Sequence, residues 1–343
     1  MENSITSSDD EPPHSRLSVI SPKSQYQTVK FLKTQKYRRS NVADLEIYVE
    51  HDITRAESLW NLFSPKNSLF DLWSFRLAFW QAYQHLPYFV VAKDKKINIG
   101  VIPLWYERDT KKYTWFGSYW HEDNNLWITS PKYIRPVLEH IPKGTILNSI
   151  LPFLYRSKLL GFVPDEPKYV IDVYKFRSIE EYFLALPKRN RDKLKADYKR
   201  INKLSPKLII NRWSDFGTLI KLSQQRLVSI GEIPDTYDKR RLCTFRNIIK
   251  NSGELQEYEV KLLTIEIEGQ IAAVDLICVY NNRYYSIRGG NDIKNFPGVG
   301  NYIHLMEIED AIKLGKEKVD FLATDCNWKH KWTKPMALYK YVR

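Results

Sequence analysis

The stretch Asn295-Phe296-Pro297-Gly298-Val299-Gly300 has the residue types and spacing to hold a phosphate group. Glycine at 298 and 300 lets the backbone come close to a ligand. An apolar pattern follows (Ile303, Met306, Ile308, Ala311, Ile312, Leu314), with Glu307, Glu309, Asp310 and Lys313 at the polar positions. It predicts an amphipathic helix from Gly300 to Leu314. The unpaired N–H groups of its first turn, backed by the positive end of the helix dipole, form a pyrophosphate site in physical terms. Pro297 fixes the approach of the loop. No Gly-Lys-Ser/Thr follows, so the loop is not a P-loop, and a dinucleotide fingerprint would need a third glycine.

Other groups carry charge or protons. From Lys188 to Lys207 there are nine Lys or Arg and two Asp. Arg191, Lys195 and Lys199 recur at i, i+4 and share a helix face, while Leu194, Tyr198 and Ile201 form a packing face. A solvated helix and an electrostatic guide for an anionic substrate both fit this pattern. Asp275 lies among Ala272, Ala273, Val274, Leu276 and Ile277, where burial would raise its pKa. Asp292 and Asp325 sit in loops at strand ends. The stretch Gly117–Asn125 reads as an exposed loop. His121, Glu122 and Asp123 suit either a metal or bases, or plain surface roles. Cys326 and His330 lack flanking residues that would activate a thiol.

The whole chain has 53 Lys+Arg against 40 Asp+Glu, an excess that favours an anionic partner: a nucleotide, a nucleic acid or an acidic membrane face. Its three cysteines fit neither a disulfide framework nor a zinc site, which points to a reduced, cytoplasmic compartment. The first residues do not read as a secretory leader, and no apolar run approaches the roughly 20 residues of a membrane span.

These groups need a scaffold. Residues 1–42, rich in Ser, Asp, Pro, Lys and Gln, read as a disordered tail. A strand at Leu45–Val49, two helices, a hairpin (Tyr88–Ala92 with Ile97–Trp105) and a strand at Tyr113–Phe116 follow. After Tyr169–Val173 the same grammar returns: helices at Ile179–Leu186, Arg191–Leu204 and Phe216–Ile230, the hairpin Leu262–Tyr280, the strand Tyr284–Gly289, the glycine loop, its helix, and the strand Val319–Ala323. This predicts an α/β (α+β) fold of two related halves, 43–165 and 166–343, the second with its core at about 180–330.

The order hairpin, strand, loop, helix, strand resembles the core of GNAT-fold acyltransferases, whose phosphate loop runs Gln/Arg-x-x-Gly-x-Gly/Ala. Asn295 departs from that pattern at the first position. A closer resemblance is to the CelD/BioF2-like acetyltransferase branch, related to the FemAB peptidoglycan aminoacyltransferases. It is carried by Trp73–Trp80 with Pro87–Val91 and Ile99–Leu104, by Tyr182–Lys195, by Gly269-Gln270-Ile271-Ala272-Ala273, and by Gly315 with Val319-Asp320-Phe321-Leu322 and Trp328-Lys329. It covers about residues 45 to 335.

The resemblance implies tandem GNAT-like halves, each a mixed, mostly antiparallel sheet flanked by helices, with one donor site in the second half. It implies an N-acyltransferase that takes acetyl-CoA or another acyl-CoA, needs no metal, and modifies an amine on a sugar or cell-envelope precursor. The donor would be held by Asn295, Gly298, Val299, Gly300, Asn301 and Arg288, with a backbone N–H of Tyr284–Gly289 on the thioester carbonyl. Asp275, then Asp292 and Asp325, are the candidate bases, and Tyr285 is a proton donor for the thiolate. Arg191, Lys195, Trp120 and His121 would meet the acceptor. A FemAB-like enzyme using aminoacyl-tRNA and a non-catalytic binding protein of the same fold are the alternatives. A tRNA, a lipid-linked anionic precursor and peripheral contact with a membrane stay open as partners.

Overall fold

The computed structural model describes residues 45–119, 122–152 and 161–343. The expected tail, Trp120 and His121 lie outside the described residues.

The first half begins with β1 (Leu45–Glu50) and α1 (Ile53–Phe63). Asp52 starts α1 because its carboxylate accepts the N–H groups of Thr54 and Arg55 at 3.0 and 2.9 Å, an N-cap. α2 (Trp73–Tyr83) follows, then β2 (Leu86–Asp94), β3 (Ile97–Glu107) and β4 (Lys112–Trp115). These strands form an antiparallel sheet in the order β1-β2-β3-β4, with β5 (Trp127–Ile128) also on β3. α3 (Ile134–Leu138), β6 (Ile146–Ile150) and β7 (Val163–Pro164) complete the half.

The second half runs β8 (Lys168–Asp172), α4 (Ile179–Ala185), α5 (Lys188–Asn202), β9 (Lys207–Ile210), α6 (Phe216–Ser229) and α7 (Lys239–Leu255). Then come β10 (Glu259–Ile267), β11 (Gln270–Tyr280), β12 (Arg283–Asn291), α8 (Val299–Lys313) and β13 (Lys318–Ala323), followed by β14 (Pro335–Met336) and β15 (Tyr339–Val342). Its sheet has the order β14-β8-β13-β12-β11-β10-β9. Each half is thus a mostly antiparallel sheet flanked by helices.

Two features of this sheet shape the site. β12 and β13 are parallel, yet pair only from Arg283↔Lys318 to Tyr285↔Asp320, after which they part. On its other edge β12 carries a bulge: Leu276 opposes Arg288 and Ile277 opposes Ser286, so Ile287 has no partner on β11. The backbone around Ile287 therefore lies outside the ladder on both sides.

The halves share one core. Trp60, Phe75 and Phe116 cluster with Phe245, Tyr258, Leu276 and Tyr285. α7 lies on α2, with Asn247 and Asn251 side chains donating to the carbonyls of Ala78 and Ser74 at 3.1 and 2.9 Å. β15, although it ends the chain, pairs with β6 and β7 of the first half. The Lys168 ammonium, 1% exposed, contacts the carboxylate of Asp123 from the first half and that of Asp320 at 2.7 Å. Buried Arg76 donates to the carbonyls of Phe70, Gly117 and Asp123 and to Asn124 Oδ1, fixing the described part of the 117–125 loop.

Candidate functional site

The site is built where β12 and β13 part, under the first turns of α8. Val299, Tyr302, Ile303, Leu305, Met306, Ile308 and Ala311 are all buried. Apolar residues run round the helix instead of along one stripe, so α8 is an internal helix. Among its polar residues Glu307 is buried and His304, Glu309 and Asp310 are half-buried, while Lys313 at the far end stays exposed. Glu307, expected on a solvent face, is 1% exposed, and this corrects the amphipathic reading of the helix.

His304 Nδ1 lies 3.3 Å from Asp275 Oδ2 and 3.5 Å from Glu307 Oε1. The Ser286 hydroxyl donates to Glu307 Oε1 at 3.3 Å, joining the cluster to β12 just before the bulge. Gly289 is required here: a Cβ on it would stand 2.7 Å from Asp275 Oδ1. The His304 ring stacks on Trp328 at 4.6 Å and 7°, with Phe321 and Trp332 edge-on to it. Asp275 is sealed at 0% exposure while the His304 side chain keeps 13%, so the imidazole is the member that reaches the opening. With Nδ1 turned to the carboxylates, Nε2 is left for a reacting group.

The electrostatics follow from burial. For His304 desolvation works against the charge, but Glu307 and Asp275 outweigh it and push the imidazole up to about 9. Burial, and then the Asp275 charge, raise the Glu307 carboxyl far above its usual range, against the pull of His304. Burial thus drives Glu307 towards its protonated form, while the carboxyls around the ring favour the imidazolium. Among the described residues the same three side chains also form a set able to ligate a divalent cation, with ligand atoms mutually within 4.8 Å.

The Trp328–Trp332 segment brings a cation. Lys329 is 5% exposed and donates to the Ala323 carbonyl at 2.7 Å, at the end of β13. Burial lowers its ammonium to about 8. The chain reaches it through Leu322, Thr324, Cys326 and Asn327, all non-glycine residues at positive φ (66°, 67°, 49° and 60°). Such strain persists only where the surroundings hold it, and it clusters at functional sites. A cavity of about 580 Å³ between β8, α4 and the 330–335 segment shares Trp332 with the cage around His304.

The glycine loop lies at the other end of the opening. Gly298, at φ 97°, is the N-cap of α8. A Cβ on it would stand 2.8 Å from Asp197 Oδ1 of α5, and one on Gly300 3.1 Å from Asn291 Nδ2. The N–H of Val299 is used by the Phe296 carbonyl at 3.0 Å, and that of Tyr302 by the Gly298 carbonyl. Among the described residues no acceptor engages the N–H groups of Gly300 and Asn301. The cradle is therefore narrower than expected. Val299 packs inward at 0% exposure, and Asn301 turns its amide to Asp197 at 2.7 Å. Asn295 donates its backbone and side-chain N–H to Asp292 at 3.1 and 2.7 Å, so both residues shape the turn into the loop.

Several expected site residues fall elsewhere. Tyr285 is buried at the seam between the halves, where its oxygen accepts the Leu69 N–H at 3.1 Å and burial raises its hydroxyl pKa. That seals it from any thiolate. Arg288 holds Asp235 with two hydrogen bonds of 2.7 and 3.1 Å and faces Phe245 of α7, away from the glycine loop. Asp325 accepts the backbone N–H and ring Nδ1 of His330; burial opposes ionisation, but these contacts hold its carboxyl below the usual range. Asp123 pairs with Lys168 and Glu122 accepts the Tyr119 N–H, which accounts for both without a metal. Arg191 lies at the start of α5 beside Asp192, and the Lys195 ammonium sits over the Phe183 ring. The residues not foreseen are His304, Glu307, Ser286 and Lys329.

Comparison with known proteins agrees with this geometry. Residues 244–330 match the family model of the acetyltransferase (GNAT) domain, a span that includes β10 to β13, the glycine loop and α8. The fold is similar to that of FemX, at 11% identity, covering 86% of this chain and 97% of that one with a TM-score of 0.53. It is also similar to a tandem GNAT protein from the clavulanic acid biosynthesis pathway, at 9% identity, covering 86% and 98% with a TM-score of 0.51. A comparison with curated proteins finds no match. No helix among the described residues is long and apolar enough to cross a membrane.

Proposed function

Because the chain carries a GNAT acetyltransferase domain within a tandem GNAT-like, FemAB-related fold, we propose that it is an N-acyltransferase taking acetyl-CoA or another acyl-CoA as donor, with an amine on a sugar or cell-envelope precursor as acceptor. The observation that carries the reading is the placement of His304, backed by Asp275 and Glu307, where β12 and β13 part below the glycine loop.

The donor diphosphate rests on the N–H groups of Gly300 and Asn301 at the positive end of α8. The thioester lies along β12, its carbonyl oxygen polarised by backbone N–H at the Ile287 bulge. The acceptor enters from the cavity bounded by Trp332. The amine nitrogen forms a bond to the thioester carbon, the carbon–sulfur bond breaks, and the proton from nitrogen passes to Nε2 of neutral His304 and on to the departing sulfur. Asp275 and Glu307 position the ring and fix its tautomer. The Lys329 ammonium offsets negative charge building on oxygen or sulfur.

Thermal shift with acetyl-CoA, longer acyl-CoAs and aminoacyl-tRNA tests the reading. An acyl-CoA that stabilises the wild type but not Gly300→Glu is the expected result. Stabilisation by aminoacyl-tRNA alone would move the chain to the aminoacyl-transfer reading, which the FemX likeness favours. Indifference to every ligand would leave a binding fold without turnover.

A further inference from the structure

The cavity of about 580 Å³ beside Trp332 holds more cations than carboxylates. Lys175, His330, Lys331 and Lys334 stand around it, and Asp172 is the one acidic residue of its lining. Asp172 already holds the Lys175 ammonium at 2.6 Å, and His330 is held by Asp325 at 2.8 Å. Among the described residues no carboxylate pairs with Lys331 or Lys334; Lys331 reaches only the Asn327 carbonyl, at 3.1 Å. Trp332 adds a further donor, since among the described residues its buried indole N–H meets no acceptor. The rest of the lining is largely apolar, with Ile171, Tyr182 and Leu186 all buried.

The segment that carries the two lysines is pinned from three elements. Tyr182 of α4 donates its hydroxyl to the Trp332 carbonyl at 2.9 Å. Asn190 of α5 donates to the Lys331 carbonyl at 3.1 Å, and the Thr333 hydroxyl donates to the Val170 carbonyl of β8 at 3.0 Å. The backbone beneath both ammonium groups is therefore fixed, and only their side chains have to order around a ligand. A planar carboxylate is met best by the two-pronged guanidinium, and no arginine lines the cavity. Ammonium point charges reaching in from different positions suit a tetrahedral phosphate instead. The volume lies within the roughly 300–1,000 Å³ of small-molecule sites and takes a sugar ring together with its phosphate.

Resting on the acyl-transfer reading above, we propose that the acceptor is an amino sugar that carries phosphate. The phosphate binds at Lys331 and Lys334, the ring lies on the apolar lining, and the amine faces Trp332 and the His304 imidazole behind it. The two lysines then select the acceptor by charge, apart from the reacting nitrogen.

Calorimetry of glucosamine, glucosamine 6-phosphate and UDP-glucosamine, with and without CoA, tests this on the wild-type chain and on a Lys331→Gln/Lys334→Gln variant of unchanged circular dichroism. Acetyl-CoA is titrated into both in parallel. The wild type is expected to bind a phosphate-bearing sugar at least tenfold more tightly than glucosamine, and whichever of the two gains more tells a phosphate monoester from a nucleotide diphosphate. The variant is expected to bind all three sugars alike, with a weaker dependence on salt and unchanged affinity for acetyl-CoA. Equal binding of the three sugars by the wild type, a preference that survives in the variant, or no binding of either phosphate-bearing sugar overturns the proposal; tight binding of acetyl-CoA in the same series leaves the donor reading standing. A wild type that binds neither acetyl-CoA nor any of the sugars overturns both.

Discussion

His304 decides how the proposed reaction responds to pH. Its imidazole, held up to about 9 by Glu307 and Asp275, is charged at neutral pH and accepts a proton only once it has lost its own. The transfer rate should therefore climb with pH until about 9. His304→Gln is expected to lower kcat by about 100-fold or more, leave the KM for the donor nearly unchanged and abolish that climb, as steady-state rates across pH would show. A chelator is expected to leave the rate unchanged, because the imidazolium already supplies the positive charge that two buried carboxyls require. The linkage has a sign: a histidine raised on folding contributes stability that is complete below its unfolded value and is lost as pH rises through about 9. Asp275 was legible in the sequence because five apolar neighbours announce a buried acid. His304 and Glu307 were not, since charged residues at i, i+3 read as the wet side of a helix. The signal lay in Val299, Leu305 and Ile308, which leave that helix no wet side there.

At the scale of elements the glycine loop and α8 act together. Gly298→Ala places a Cβ at φ 97° and against Asp197, and denaturant unfolding should show a loss of about 1–2 kcal/mol. Donor affinity should fall with it, since the same residue sets the first turn of α8. The hairpin β10–β11, β12, the loop and α8 were legible because each is long, patterned and bounded by a turn residue. α7 was missed although Leu242, Phe245, Ile248 and Ile249 form a stripe; eight polar residues between Lys239 and Asn251 dilute it. β9, with Leu208, Ile209 and Ile210 in succession, has no alternation to betray a strand. The bulge at Ile287 and the parting of β12 from β13 are properties of pairing, which no local pattern encodes.

Across the whole molecule the halves are stitched by buried charge. Lys168→Met would leave buried Asp123 without its cation and Asp320 with only the Arg283 guanidinium at 3.9 Å, at a cost of about 3–5 kcal/mol measurable as a lower unfolding midpoint. Adding Asp123→Asn to it should recover part of the loss. Two halves with the same order of elements could be read from the chain, but their interleaving could not. β15 returning to β6 and β7, and α7 lying on α2, depend on contacts between residues far apart in sequence. We place one donor site between the glycine loop and the parted strands of the second half. Hydrogen exchange of the backbone amides with and without acetyl-CoA tests this placement. Protection confined to Ser286–Asn291, Gly298–Tyr302 and the neighbouring face of α5 is the predicted result, and protection elsewhere, or none at saturating acetyl-CoA, would contradict it.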